Sequence, residues 1–517
     1  MENKTSTYKS KRRRGNRSSG GYINSSRANW PGYHIQVAVN QSGAKHLRED
    51  CQREFGNLIS VRRYYKGEVT VYLSLIFILL VTFVGGVMES ASIQIAKNYR
   101  RADTNRAMEC VFAEYQKELL EEYDIFALEV SYETGQYAEQ NLTDRLAYYG
   151  AGDMEHKVER IQFLTDRGCS GFYDQVAIYM EQKYGMDVVK DMLGLSSVWE
   201  QQEERVESYS REEQEQQENL NHLLRENESE LPDEDNPINH VGQLKRSSIL
   251  SLVVPKDIAI SEKMVEEQEL LSSRERNEGY GEFSDVASGN GKLSTLLFGE
   301  YLLEHFSEFT DTEKTGTLDY ELEYILAGKS SDKENLEAVV KRLLLLRFVP
   351  NYAYIQTDGE MRAEAQAMAL TLCALLAVPA ITEAAAQGIL LAWAYGESIM
   401  DIRSLLKGNR VPLVKSKESW QLQLSGLLTL GTEEDHNDGQ DISDGLAYQE
   451  YLRILLFLGQ KNTIALRAIG MIEQNMRKIY GQPYFHADQC INRMEIKTTC
   501  KLRRGITYQY KTYYGYQ

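Results

Sequence analysis

Twenty consecutive residues without a charge constrain this chain more than any other feature of its sequence. The run begins at Val69 and ends at Met88. At ~1.5 Å of rise per residue, such a helix is about 30 Å long, the thickness of a bilayer's hydrocarbon core. A buried core helix fits less well, because few globular helices are apolar on every face. A cleaved signal sequence also fits less well, since the run lies far from Met1 and no A-x-A-like site follows it. The sequence therefore predicts one transmembrane helix.

Charge is distributed unevenly on the two sides of this predicted span. Residues 1–66 contain 14 Lys and Arg against four acids, whereas residues 67–517 contain 44 against 72. The basic residues nearest to the span, Arg62, Arg63 and Lys66, precede it. Cytoplasmic loops carry excess Lys and Arg, and long domains cross largely regardless of charge, so we expect a cytoplasmic N-terminus and a large extracellular C-terminal domain. The acidic domain argues against nucleic acid as a partner, since phosphate contacts need clustered cations.

The sequence divides into five predicted regions. They are a basic, largely disordered cytoplasmic region (1–66), the transmembrane helix (67–90), a first outer subdomain (91–198), a charged linker or exposed insertion (199–247) and a mainly helical outer subdomain (248–517). The first outer subdomain should begin with an extension of the membrane helix, because aromatic residues recur at helical steps as far as Phe126. Gly135 is the expected stop of this helix.

Periodicity within the second outer subdomain predicts mostly helix with some strand. Two Ala-rich runs, 363–378 and 381–396, flank Pro379 and have 16 residues each. Because both contain Glu or Gln, we expect a buried helical hairpin rather than a second membrane hairpin. Segment 248–254 resembles a short buried strand, and the alternation along 506–516 predicts a closing strand. The predicted fold class is α+β: a mostly helical outer domain with some β-structure, attached to one N-terminal transmembrane helix.

Recognisable catalytic motifs are absent from the sequence. It contains no HExxH, GxSxG or GxGxxG motif, and its eight His and six Cys do not show metal-ligand spacing. We therefore expect no metal site and no cofactor. Glu397 and Asp401 are the only weak catalytic candidates, because carboxylates one helical turn apart can perform acid–base work. An internal salt-bridge network is the better interpretation of that pair.

Cys490 and Cys500 leave two alternatives open. On the outer side of a membrane they could form a disulfide. Two reduced thiols fit the sequence equally well, because spacing does not show whether the two Cα atoms come within bonding reach.

Six stretches of the sequence carry a family resemblance. They are GEVTVYLSLIFILL from Gly67, VFAEYQKELLEEYDIFAL from Val111, NPINHVGQLKRSSILSLVVP from Asn236, LDYELEYILAGKSSDKENLEAVVKRLLLLR from Leu318, LLAWAYGESIMDIRSLLKGNRVPLVK from Leu390 and YQEYLRILLFLGQ from Tyr448. Together they resemble an uncharacterised family of single-span envelope proteins from clostridial Gram-positive bacteria. Its genes often lie among those for Tad-type (tight adherence) pili and related secretion machinery. The resemblance covers most of residues 64–517 and supplies no catalytic residues.

The expected function follows from the predicted membrane anchor and from the Tad-type genes that neighbour those of the resembled family. The chain is expected to be a membrane-anchored, non-enzymatic assembly or accessory component of a Tad-like pilus or secretion system. Its partners would be membrane lipid and other envelope proteins. The alternative is a membrane-anchored envelope hydrolase or transferase with an unrecognised active site. Prepilin-like cleavage after Gly67 would place Tyr72 where prepilins carry Glu, so we expect the N-terminus to stay attached.

Overall fold

The computed structural model describes residues 68–516 apart from 133, 228–229, 233, 284–290, 312 and 375–378. The predicted cytoplasmic region, with Arg62, Arg63 and Lys66, lies outside the described residues. The chain divides into two compact units, 1–82 and 83–517. The described residues are mostly helical with one small antiparallel sheet, which confirms the predicted α+β fold class.

The first helix, α1 (Glu68–Phe112), contains the whole predicted span. Every side chain from Val69 to Met88 is exposed, and no part of the apolar stretch is buried within the protein. Among the described residues, α1 is the one helix that is long and apolar enough to cross a membrane. Its length and composition suit a single span of a bilayer.

Helix α1 ends at Phe112, so the predicted continuation to Gly135 is wrong. A second helix, α2 (Lys117–Tyr123), follows after a turn. The aromatic and apolar stripe divides between two hydrophobic cores at this turn: Met108 lies in the core beneath the sheet, whereas Leu119 lies in the core of the helical part. One straight helix could not place both sets of side chains, which explains the break in the absence of Gly or Pro.

The sheet contains four antiparallel strands. They are β1 (Leu128–Glu129), β2 (Glu155–Phe163), β3 (Cys490–Lys501) and β4 (Thr507–Gly515). Strand β3 is central: β2 pairs along one edge, and β4 and the short β1 pair along the other. The predicted closing strand is confirmed, and its even-numbered side chains, such as Tyr510, face the core against α1.

Twelve further helices are described. They are α3 (Glu139–Leu146), α4 (Asp166–Glu226), α5 (Pro237–Leu244), α6 (Ile249–Val253), α7 (Lys292–His305), α8 (Glu321–Ala327), α9 (Asp332–Thr357), α10 (Gly359–Leu372), α11 (Pro379–Leu406), α12 (Leu424–Leu427), α13 (Tyr448–Leu458) and α14 (Lys461–Lys478). Helix α11 lies at the centre of the helical core and packs against α4, α9 and α10. The predicted Ala-rich helices correspond to α10 and α11, which pack on each other.

Two further predictions need correction. Residues 248–254 form helix α6 instead of a strand, because a short apolar run fits either element and only its packing decides. The charged stretch 199–247 is not a linker: its first part completes the long helix α4, which buries Trp199 and Leu220 in the helical core. Its charges lie on the exposed side of that helix. Consequently the two expected outer subdomains form one unit, 83–517.

Candidate functional site

The predicted carboxylate pair lies at the centre of the helical core. Glu397 and Asp401 follow one another by one turn on α11, and both are fully buried. Helix α9 faces them and contributes Arg347 and Asn351, while the loop after α11 contributes Lys415. We call Arg347, Glu397, Asp401 and Lys415 the core ionic network.

Lys415 joins the two carboxylates. Its Nζ donates to Glu397 Oε1 over 2.5 Å, to Asp401 Oδ1 over 2.7 Å and to the Ser419 carbonyl over 2.9 Å. These three bonds use all three ammonium protons. The remaining lone pairs of Glu397 accept the backbone N–H groups of Gln421 and Leu422, the latter over 2.8 Å.

Arg347 completes the network from the opposite side. It donates to Asp401 Oδ2 over 3.0 Å, to the Tyr451 hydroxyl over 3.0 Å and to the Leu413 carbonyl over 3.0 Å. Asn351 donates to the same Asp401 oxygen over 2.9 Å. The two cations balance the two carboxylates, as a buried ionic group requires.

Electrostatics and access both argue against acid–base chemistry here. Burial opposes ionisation of Asp401, but Lys415 and Arg347 outweigh it and hold its pKa below the usual value. Burial raises the pKa of Glu397 to about 7, whereas Lys415 and the backbone N–H of Gln421 favour its charged form. No buried side-chain N or O of these four residues lacks a partner. The arrangement matches the salt-bridge interpretation and leaves no free group facing a substrate.

The sequence reasoning missed both cations of this network. Arg347 follows four leucines on α9, and an isolated Arg inside an apolar helical run indicates a buried charge that needs a partner. Arg347 could therefore have been predicted from the sequence as a buried, paired charge. Lys415 offers no comparable signal, because it lies in a loop where exposed lysines are common.

A second charged cluster could be mistaken for a metal centre. Glu473, His486 and Asp488 bring their ligand atoms within 4.8 Å of one another. However, Nη2 of Arg274 lies 2.6 Å from Asp488 Oδ1, 3.0 Å from Glu473 Oε2 and 3.3 Å from His486 Nδ1. The guanidinium therefore occupies the position of a cation. We call these four residues the Arg274 clamp.

The Arg274 clamp is largely buried and strongly paired. Glu473 and Asp488 are fully buried, and Asp488 also accepts the N–H and side-chain amide of Asn277. Burial opposes the charge on Asp488, but Arg274 and Asn277 outweigh it and keep its pKa below the usual value. The clamp fixes the loop that carries Arg274 onto α14 and the segment before β3.

Three buried acids surround the loop between α7 and α8: Glu308, Glu321 and Glu323. None of them forms an ion pair among the described residues. Asn475 and the Ser307 N–H donate to Glu321, and burial raises its pKa to about 7. Tyr448 donates to Glu323 over 2.8 Å, but Oε2 of Glu323 has no partner. Burial and the nearby charge of Glu308 raise the pKa of Glu323 to about 8. The sequence reasoning did not find this cluster.

Cys490 and Cys500 are both buried free thiols. They lie ten residues apart on one strand, β3, which separates them by about 33 Å at ~3.3 Å per residue. A disulfide requires Cα atoms within about 7 Å of each other. The structure therefore contains the reduced alternative and rules out the bridge in this fold.

Fold and site together define an α+β protein with one membrane-compatible helix and a closed ionic network at its centre. The chain belongs to a Family of unknown function (DUF5702), which matches residues 227–502, more than half of the chain. The matched segment contains the core ionic network and the Arg274 clamp. No curated protein and no solved structure matches the chain.

Proposed function

We propose that this protein is a non-enzymatic, membrane-anchored envelope component. In this proposal α1 spans the membrane once, the basic N-terminal region lies in the cytoplasm and residues 91–517 lie outside. It would act as an assembly factor or accessory component of a Tad-like pilus or secretion system. The main support for the proposal is helix α1, because its first half is apolar and exposed and its last turns pack into a folded core.

Helix α1 is exposed and apolar over its first half but enters a folded core over its last turns. The Tyr510 hydroxyl on β4 lies 2.6 Å from Thr104 Oγ1 and donates to the Arg100 carbonyl over 2.8 Å. The Tyr516 hydroxyl donates to the Phe112 carbonyl at the end of the helix. A displacement of the helix along its axis would therefore be transmitted directly to the sheet, which suits a component that responds to partners in the bilayer.

The core ionic network supports a non-enzymatic role. Its four charges are mutually neutralised and satisfied by internal donors and acceptors, which is the pattern of a structural network. The rival proposal, an envelope hydrolase or transferase, would need Glu397 or Asp401 to reach a substrate. Both side chains are fully buried.

Support for a Tad-like system comes from the resemblance to clostridial envelope proteins whose genes lie beside Tad-type pilus genes. Photo-crosslinking in cells tests this association. A photoreactive residue in place of Tyr513, which is 48% exposed on β4, should give adducts with pilus or secretion components. The control is the same residue in place of Val414, which is 71% exposed on a loop and should not give those adducts.

A test of enzymatic activity could instead favour the rival proposal, an envelope hydrolase or transferase. If the purified chain turns over a cell-wall substrate, and a Glu397→Gln and Asp401→Asn double variant stays folded but inactive, the protein is an enzyme. Adducts that contain no pilus or secretion component at either position would contradict the assembly role.

A further inference from the structure

The turn that joins β3 to β4 lies beside the end of the apolar stretch of α1. That stretch ends at Met88, and the next residue is Glu89. The guanidinium of Arg504, in the turn, pairs with the Glu89 carboxylate. A hydrogen bond of 2.8 Å from the Leu502 N–H to the Ile506 carbonyl closes the backbone of the turn. We call residues 501–505 the β3–β4 turn.

Strand β4 follows α1 away from this point. The Lys97 ammonium lies 4.9 Å from the centre of the Tyr508 ring. Just after β4, the Tyr516 hydroxyl donates to the Phe112 carbonyl at the end of the helix. From Glu89 to its end, α1 rises about 35 Å at ~1.5 Å per residue, and residues 504–516 can span about 40 Å at ~3.3 Å per residue. The strand and the helix therefore run side by side, and the β3–β4 turn is the end of this strand nearest to the apolar stretch.

A membrane span in α1 brings the β3–β4 turn to the level of the lipid headgroups. A span that ends at Met88 puts Glu89 at the edge of the hydrocarbon core, where a headgroup layer of ~5–8 Å begins. The ion pair with Glu89 keeps Arg504 at that level. This step rests on the proposed membrane anchoring of the chain, but it needs neither the proposed orientation nor a pilus partner.

The surroundings of the turn are basic, although the outer domain is acidic. Residues 497–504 contain four cations and no acid, and residues 89–101 of α1 contain three cations and one acid. Residues 67–517 as a whole contain 44 Lys and Arg against 72 acids. Positive charge is thus concentrated at the end of the domain that faces the bilayer, where it attracts an anionic surface.

Four of these cations are not neutralised by acids. Lys501 and Arg503 are exposed, and neither forms an ion pair in the part of the chain that the structure describes. Lys97 and Arg101 also lack an acidic partner there, and each lies over a tyrosine ring of β4 instead. Their charges therefore remain available to an external anion.

The acids near the turn are mostly engaged. Glu89 pairs with Arg504, and Asp153 pairs with Arg100 over 3.2 Å. Glu155 is exposed at the start of β2, which lies on the opposite side of β3 from β4. The four unpaired cations outnumber this one acid, so the surface keeps a net positive charge.

We propose that the β3–β4 turn binds the anionic headgroups of the membrane that α1 spans. Lys501 and Arg503 contact lipid phosphates, and the Arg504–Glu89 pair holds the turn at headgroup level. Lipids with a net negative charge, such as phosphatidylglycerol, are preferred over zwitterionic phosphatidylcholine, because each Lys or Arg near an anionic surface adds to the attraction. The contact gives the sheet a fixed orientation on the bilayer surface.

Tryptophan quenching in vesicles that contain the full-length chain tests this contact. Leu502→Trp replaces a partly exposed residue of the turn. The quenchers are phosphatidylglycerol and phosphatidylcholine, each with a nitroxide at the top of an acyl chain and each at the same fraction of a phosphatidylcholine vesicle. Both should quench the tryptophan at position 502, and phosphatidylglycerol should quench it at least ~2-fold more strongly. This difference should vanish near 1 M salt, where the Debye length is about 3 Å.

A second tryptophan supplies the control for position. Tyr148→Trp changes a side chain that is 74% exposed. The nearby Gly150 lies against the side chain of Arg106, which is ~26 Å beyond Glu89 along α1. Neither lipid should quench the tryptophan at position 148. The wild-type chain gives the background of the native tryptophans in both experiments.

Charge variants link the lipid preference to the turn. Lys501→Gln combined with Arg503→Gln, in the Leu502→Trp background, should make the two lipids quench equally while the Arg504–Glu89 pair stays intact. Lys333→Gln combined with Arg362→Gln removes two exposed charges from α9 and α10. This matched control should keep the preference for phosphatidylglycerol.

Three results would overturn the lipid contact. Quenching at position 502 no stronger than at position 148 would place the turn away from the bilayer. Equal quenching by the two lipids would leave the turn to a protein partner, and an unchanged preference in the charge variant would assign it to other residues. Flotation of the chain with the vesicles after a high-salt wash separates these failures from the anchoring. A chain that floats but gives any of these results refutes the lipid contact alone, whereas a chain that does not float refutes the anchor as well.

Discussion

Replacing Asp401 by Asn should destabilise the protein severely while barely changing the shape of the side chain. Asp401 accepts from Lys415 over 2.7 Å and from Arg347 over 3.0 Å, and all three side chains are buried with no exposure. The substitution leaves two buried cations facing the single carboxylate of Glu397. Breaking a buried ion pair of this kind costs about 3–5 kcal/mol, a large part of the ~5–15 kcal/mol that usually stabilises a folded protein.

The neighbouring carboxylate supplies a graded comparison. Glu397→Gln should cost less than Asp401→Asn, because Arg347 and Lys415 both still contact Asp401 and the new amide oxygen can accept a backbone N–H. Glu360→Gln is the matched control, since Glu360 pairs with Lys417 where both side chains are at least 70% exposed. Exposed pairs contribute little, so this variant should unfold like the wild type.

Urea unfolding of the full-length chain in detergent, followed by far-ultraviolet circular dichroism, measures these differences. We expect the order Asp401→Asn, Glu397→Gln, Glu360→Gln from the least to the most stable. If Asp401→Asn loses less than ~1 kcal/mol, the core ionic network is not the structural element described here.

Three further predictions concern protonation, thiols and processing. Burial raises the pKa of Glu323 to about 8 from 4.5, so the folded protein holds a proton that the unfolded chain releases; this stabilisation is complete below about pH 4.5 and is lost as pH rises towards 8. Between pH 5 and 8, Tm should therefore fall less in Glu323→Gln than in the wild type. An equal fall in both proteins would refute the raised pKa of Glu323. Cys490 and Cys500 should both be alkylated after denaturation without reductant, and protection of the pair would reveal a bridge. Mass spectrometry should find peptides that cross from Lys66 to Val69, whereas a mature start at Glu68 would mean prepilin-like processing.

Local patterns explain which parts of the fold could be predicted. The span was predictable because a charge-free apolar run of its length has few other uses. Strand β4 was predictable because alternation identifies a half-buried strand. The 248–254 segment was not, since its five helical residues are too few to show a period. The second part of helix α4 was not predicted as part of the core, because its many charges indicated a linker or insertion. Those charges cover the exposed side of a helix that also buries Trp199.

Long-range pairing explains what could not be predicted about the site. Glu397 and Asp401 were visible as a pair on one helix, because their spacing is local. Their partners are distant: Arg347 lies 54 residues from Asp401 in sequence. The Arg274 clamp also needs segments that the fold brings together, because Arg274 lies 199 residues from Glu473 and 214 residues from Asp488 in sequence. No spacing rule in the sequence could indicate that arrangement.

Membrane topology is the most direct test of the proposed anchoring. Tyr148 is 74% exposed in the outer unit, so a Tyr148→Cys variant offers an accessible thiol there, and Cys51 reports on the N-terminal region. In intact cells, a membrane-impermeant maleimide should label the cysteine at position 148 and should reach Cys51 only after permeabilisation. Labelling of Cys51 in intact cells, with position 148 protected until permeabilisation, would contradict the proposed orientation.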